Sequence, residues 1–164
     1  MASRTEIETQ LREHWPRLRR FAYTLSRSPA DADDLVQDVA IRAINSAAQW
    51  QTGTRFDSWL FRIARNLWID TVRARSRRDQ RTAPSEMAEE LGFNPRPATE
   101  AGIDLKTAMA AMQRLPDEQR EIVALILVDG LGYREVSELL DLPIGTVSSR
   151  LNRGRAALLN MLGE

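Results

Sequence analysis

The sequence predicts an all-α protein of two small helical domains joined by a flexible linker. Three observations lead there. Apolar residues recur at helical spacing along most of the chain, and no convincing alternating strand interrupts them. That periodicity fails after Arg78 and resumes at Asp104, across a stretch with Pro84, Pro95, Pro97, Gly92 and Gly102 among acids and small residues. Residues 133–159 then read as a helix, a tight turn and a second helix. The predicted units are 1–78 and 105–164, with 79–104 as the tether, a division that 164 residues can support.

Each element has its own signal. Ser3-x-x-Glu6 is a capping-box pattern that starts a first helix, with Leu11, Trp15, Leu18 and Ala22 on one face and Phe21 and Leu25 beside them. Pro16 lies inside that run, which predicts a kink or a late start near Trp15. Ser28-Pro29-Ala30-Asp31 supplies an N-cap, a first-turn proline and an acid at the positive helix end, opening a second helix to about Ala47. Thr54-x-x-Asp57 opens a third, with Trp59, Leu60, Ile63, Leu67 and Val72 as its apolar side.

Beyond the tether, Leu105, Ala108, Met109 and Met112 form the next apolar stripe. Pro116-Asp117-Glu118 starts a helix through Leu127 that Asp129-Gly130 ends. Tyr133 to Leu140 turns Val136, Leu139 and Leu140 inward. Pro143 stops that helix, Gly145 is expected to take the unusual backbone angle of the turn, and Thr146 opens the last helix with Val147, Leu151 and Leu158 inward.

Composition narrows the function classes. Hydrophobic residues make up 43%, enough for real cores. No apolar run approaches the ~20 residues of a membrane span. The first residues carry acids and lack an apolar stretch, which predicts no secretory leader. With no cysteine there is neither a disulfide framework nor a thiolate metal site, as suits the cytoplasm. The only histidine, His14, sits beside Trp15 in an amphipathic helix, and no glycine-rich phosphate loop or serine motif with partners is present. No enzyme, cofactor or metal is expected.

The formal charge is zero, but it is unevenly spread. Residues 1–78 hold 14 Arg against 9 acids, residues 79–104 hold 2 Arg against 6 acids, and residues 105–164 hold 7 basic against 8 acidic groups. A basic front can be a binding footprint. Of the 23 positive residues 22 are Arg, the side chain best fitted to phosphate and guanine.

Three constellations stand out. In the last helix the outer face carries Ser148, Ser149, Asn152 and Arg153, with Arg150 and Arg155 around the side. Short polar residues with arginines are what a major-groove reading helix offers, although a solvated hairpin face has the same pattern. Asp31, Asp34, Asp38 and Arg42 share one face of the second helix, with Asp33 and Gln37 alongside. A solvated face, a divalent-metal site and a protein-docking surface compete there. The metal reading lacks convergent ligands from a second helix. Residues 62–78 carry Arg62, Arg65, Arg73, Arg75, Arg77 and Arg78 against one acid, Asp70, after Trp50 and the loop Gln51-Thr52-Gly53-Thr54. Phe56 and Trp59 have core spacing. Trp50 at the loop edge is divided between core and base contact.

At this point the residues resemble a known family. Leu115-Pro116-Asp117-Glu118-Gln119-Arg120, Gly145-Thr146-Val147-Ser148-Ser149-Arg150-Leu151 and Arg153-Gly154-Arg155 look like domain four of extracytoplasmic-function sigma factors. Ala32-Asp33-Asp34-Leu35-Val36-Gln37-Asp38 resembles that family's polymerase-binding helix, and Phe56-Asp57-Ser58-Trp59-Leu60-Phe61-Arg62-Ile63-Ala64-Arg65-Asn66 its promoter-melting segment. The similarity covers nearly the whole chain, with only the tether unmatched.

The resemblance implies a subunit that directs core RNA polymerase to promoters, commonly for a stress response and under an anti-sigma partner. It implies that Asp34, Gln37 and Asp38 dock on the clamp helices of the polymerase's largest subunit, while the second domain meets the flap. It places Trp50, Thr52 and Asn66 at the minus-10 bases, with Arg62, Arg65 and Arg73 on phosphates. Ser148, Ser149, Asn152 and Arg153 would face minus-35 base edges, with Arg150 and Arg155 on phosphate. Where Ser148 stands the family often has Lys or Arg, so the upstream contact there is shorter. In the acidic tether, a plain soluble link competes with a mimic of nascent RNA. Two rivals leave part of the pattern unexplained. A simple helix-turn-helix regulator ignores the front half, and a sigma mimic that only binds an anti-sigma protein would not need Arg65, Arg73, Arg150 and Arg153.

Overall fold

The structure is a computed structural model that describes residues 1–81 and 105–163. All regular elements among the described residues are helical. The first domain comprises α1 (Arg4–Ser26), α2 (Pro29–Asn45), a short 3₁₀ turn (Ala47–Gln49) and α3 (Phe56–Arg81). The second comprises α4 (Leu105–Gln113), α5 (Asp117–Val123), α6 (Tyr133–Leu140) and α7 (Ile144–Met161). Most of the predicted tether lies outside the described residues, and α3 runs three residues into its predicted start.

The helix starts follow their predicted caps in two cases. The Ser3 hydroxyl accepts from the Glu6 N–H while the Glu6 carboxylate accepts from the Ser3 N–H at 2.7 Å, a complete capping box. The Ser28 hydroxyl accepts from the Asp31 N–H at 3.2 Å, with Pro29 in the first turn. The third start differs. The Thr54 hydroxyl donates to the Gln51 carbonyl at 2.6 Å, and Asp57 itself takes the Ser58 N–H at 2.8 Å. Nor does Pro16 delay α1, which is helical from Arg4 onward.

Burial follows the 3.6-residue period, with instructive exceptions. Ile7, Leu11, Leu18, Phe21, Ala22 and Leu25 of α1 pack against Leu35, Val36 and Val39 of α2 and Phe56, Leu60, Phe61 and Ala64 of α3. Trp15, predicted on that inner face, is 39% exposed, and Val72 and Leu105 also lie outside the core. In the second domain Leu115, Ile122, Val123, Leu125, Val136, Leu139, Leu140, Val147 and Leu151 are buried. The buried apolar residues of both domains form one contiguous cluster, so the two halves close on each other.

Two local geometries depart from expectation. The helix after Pro116 does not run regularly to Leu127: after Val123 it widens into a π-helical turn, Ala124–Val128, in which the Asp129 N–H donates to the Ala124 carbonyl. In the helix-turn-helix the left-handed residue is Asp141, at φ 55°, rather than Gly145. Aspartate tolerates that conformation better than most residues because its short polar side chain can hydrogen-bond to the nearby backbone. Gly145 is already inside α7, which begins two residues earlier than predicted, directly after Pro143.

Candidate nucleic-acid interface

The recognition helix α7 is fixed from beneath by Val147 and Leu151, and by Gly154, whose bare Cα lies against Val123 of α5. On its outer side Asn152, Arg153 and Arg155 are exposed and Ser148 is half-buried. Two predicted contacts are partly committed elsewhere. The Ser149 hydroxyl donates to the Thr146 carbonyl at 3.2 Å, and Arg150 lies 3.7 Å from Glu118.

On α2, Asp34, Gln37 and Asp38 stand exposed in a row along one side. Asp31, on the same side, is taken by the Arg75 guanidinium through two bonds of 2.7 and 3.0 Å, which hold its carboxyl below the usual range. Asp33 pairs with Arg19 at 3.2 Å. The acid ridge is therefore split into a structural part and a free part.

The loop before α3 is built on aromatic packing. Phe56 contacts Trp50 edge-on at 5.2 Å between centroids, with Trp59 and His14 against its other sides. Trp50 is 6% exposed, so the indole belongs to the core rather than to the surface that could stack on a base. The loop instead presents Gln51, Thr52, Gly53 and Thr54, with Gly53 at φ 94° where a side chain would be strained. Asn66 and Arg73 are exposed on α3. Arg62 and Arg65 lie on the same helix, and both reach the second domain: Arg62 donates to the Glu138 carbonyl at 3.0 Å, and Arg65 pairs with Glu121. Burial pushes the Glu121 carboxyl up, against the pull of Arg65.

Asp57 anchors that loop, and the sequence pattern showed it only as a helix opener. Burial alone would raise its carboxyl, but hydrogen bonds from Arg55 and Arg17 outweigh that and hold it below the ordinary carboxylate range. The depressed value means that Asp57 stabilises the fold above the pKa of the unfolded carboxyl, near 4, and ceases to do so as pH falls through the folded value. Asp57→Asn is expected to cost about 2 kcal/mol at neutral pH, because two guanidiniums lose a shared partner. In urea titrations that cost should shrink steadily below about pH 4. A cost independent of pH would mean that the charge of Asp57 is immaterial.

A domain with an acid ridge and an arginine-bearing helix, followed by a helix-turn-helix domain, defines a two-domain promoter-recognition factor. Comparison with known families agrees: Sigma-70 region 2 matches residues 11–78 and Sigma-70 region 4 matches residues 105–158. The chain is 38% identical over 159 residues to the ECF RNA polymerase sigma factor SigE of Mycolicibacterium smegmatis, covering 94% of this chain and 60% of that protein. It is 35% identical over 147 residues to the ECF RNA polymerase sigma factor EcfG of Rhodopseudomonas palustris, covering 90% of this chain and 80% of that protein. Among solved structures it is similar to the sigma factor RpoE in complex with the anti-sigma factor NepR from Bartonella quintana, at TM-score 0.80 and 31% identity over 94% of this chain and 95% of that one. The chain belongs to the extracytoplasmic-function family of sigma-70 RNA polymerase sigma factors.

Sequence reasoning missed the residues at the seam between the domains. Arg17, Arg20, Arg27 and Arg55 look like solvated charges in the sequence, yet each reaches the second domain. The one available signal was the excess of arginine over acid in residues 1–78, which DNA contacts alone do not require.

Proposed function

We propose that this chain binds core RNA polymerase in the cytoplasm and directs it to a set of promoters, without catalysis of its own, under the control of an anti-sigma protein and in response to a stress. The observation that supports this reading is that one chain carries a free acid ridge (Asp34, Gln37, Asp38) and, on a separate domain, an exposed reading face (Asn152, Arg153, Arg155). The ridge docks on the clamp helices of the largest subunit, the second domain on the flap. Charges at such a surface set on-rate and orientation more than raw affinity. Thr52 and Asn66 meet minus-10 bases, Arg62, Arg65 and Arg73 hold phosphates, and Ser148, Ser149, Asn152 and Arg153 meet the upstream element. No helix among the described residues is long and apolar enough to cross a membrane.

The test is run-off transcription with purified core polymerase on promoter fragments from the source genome. Wild-type protein should yield transcripts absent with core alone. Asp34→Arg should abolish them by weakening core binding. Arg153→Ala should reduce them by roughly 5- to 150-fold, the effect of losing one bidentate base contact worth about 1–3 kcal/mol. Core binding without transcription would instead mark a sigma mimic, and promoter binding without polymerase a simple regulator.

A further inference from the structure

A cavity of about 370 Å³ lies where α1, α3, α5 and α7 meet, and none of the roles assigned above accounts for its chemistry. Its volume falls in the range of small-molecule sites, about 300–1,000 Å³. One wall is apolar. Trp68, Ile69 and Val72 follow the helical period on α3, and Leu25 of α1 extends the stripe. The Arg75 guanidinium lies over the Trp68 ring at 5.5 Å from its centroid and is itself held by Asp31. Val72 is 46% exposed, so this wall is left partly bare by the rest of the fold.

The polar part of the lining is unbalanced, with four arginines against three acids. Two of the arginines are engaged, Arg65 with Glu121 and Arg120 with Asp117. Arg150 stands 3.7 Å from Glu118, too far for a hydrogen bond, and the Glu118 side chain is 70% exposed, where water screens the pair. Arg73 has no acidic partner among the described residues. Two guanidiniums with unused donors therefore border an uncovered apolar wall.

We propose that this cavity is a binding site for a small amphipathic anion, its apolar body against Trp68, Ile69, Val72 and Leu25 and its charged head on Arg73 and Arg150. Binding removes the body's apolar surface from water, and charge-assisted hydrogen bonds from the guanidiniums fix the head. Neither part suffices alone: a bare anion leaves the apolar wall wet, and a neutral body leaves both cations without a partner. Arg73 and Arg150 are also the phosphate contacts proposed above. The site does not depend on that role, in which Trp68, Ile69, Val72 and Leu25 have no part.

The test uses the full-length chain with naphthalene sulfonate as the probe, read by proton NMR at the indole N–H signals of the four tryptophans. Trp68→Phe identifies the Trp68 signal. Titration should shift that signal saturably and leave those of Trp15, Trp50 and Trp59, which do not line the cavity, in place. Methanesulfonate, the head alone, and naphthalenemethanol, a neutral body, should each bind at least about tenfold more weakly. The double variant Arg73→Ala with Arg150→Ala should weaken probe binding by a similar factor, whereas Arg12→Ala, which removes an exposed charge outside the cavity, should not. Val72→Glu sets a like charge against the head at an exposed position and should weaken binding equally; it decides if circular dichroism shows that the double variant has lost helix. An unmoved Trp68 signal, an equal shift of all four indoles, or a comparator that binds as tightly as the probe overturns the proposal. So does full binding by both the double variant and Val72→Glu.

Discussion

Replacing Arg120 with alanine is expected to lower the unfolding free energy by about 3 kcal/mol, the cost of stranding buried acceptors around a lost charge. Arg120 is 3% exposed, and its guanidinium is shared three ways: with the Thr24 carbonyl of α1, the Leu115 carbonyl at 2.8 Å, and the Asp117 carboxylate at 2.5 Å. Burial pulls this guanidinium below the usual arginine range, Asp117 opposes the shift, and Arg27 adds to it. Alanine removes the donor and leaves the Thr24 carbonyl facing a cavity, while the Leu115 carbonyl keeps only its bond from Arg27. Arg120→Lys keeps the charge but cannot span the three acceptors, so it should recover only part of the loss. Urea titrations of the three proteins make the check. An Arg120→Ala protein within about 0.5 kcal/mol of wild type, the range of an ordinary surface change, would show that the carbonyls find other donors.

Gly154→Leu should be comparably damaging, and Gly154→Ala shows why. In the middle of a helix, glycine to alanine ordinarily gains about 1 kcal/mol. Here a Cβ would lie 2.7 Å from Val123 Cγ2, far inside the 3.5–4.0 Å optimum between carbons. Val123 is 1% exposed and branched at Cβ, so it has little room to turn away. Overpacking costs about 1–3 kcal/mol, which exceeds the propensity gain; we expect a net loss of about 1 kcal/mol for alanine and about 3 kcal/mol for leucine. Adding Val123→Ala should restore the benefit of alanine at 154, giving a coupling energy that a double-mutant cycle measures. If Gly154→Ala is stabilising on its own, α5 and α7 are not in the close contact described.

Gly154 also shows what the sequence conveyed and what it did not. The Arg153-Gly154-Arg155 motif carried the family resemblance, but nothing in the string says which neighbour demands the glycine. Helix starts at Ser3 and Ser28 were legible because a cap is a local arrangement of three or four residues. Trp15 and Val72 were misplaced because periodicity predicts a face without saying how wide the covered stripe is. Asp141 took the strained turn conformation because the helix-turn-helix places it, not Gly145, after the last turn of α6. The outward placement of Asp34, Gln37 and Asp38 on α2 and of Asn152, Arg153 and Arg155 on α7 was legible because exposure follows from helical spacing alone. Trp50 could not be decided, since an indole at a loop edge has the same pattern whether it packs inward or out. The seam was the least legible part: an arginine bound to a carboxylate more than a hundred residues away leaves no local trace.

The π-helical turn at Ala124–Val128 bears on how the two halves stay in contact. A wide turn amounts to one extra residue accommodated within an otherwise regular helix. Deleting a single codon there would restore ordinary winding and rotate everything beyond it by about 100°. Asp129 would swing away from Arg17 and Arg20, while the local contacts within the helix-turn-helix stayed as they are. A chain shortened by that residue should therefore lose the contacts through which Arg17 and Arg20 hold Asp129.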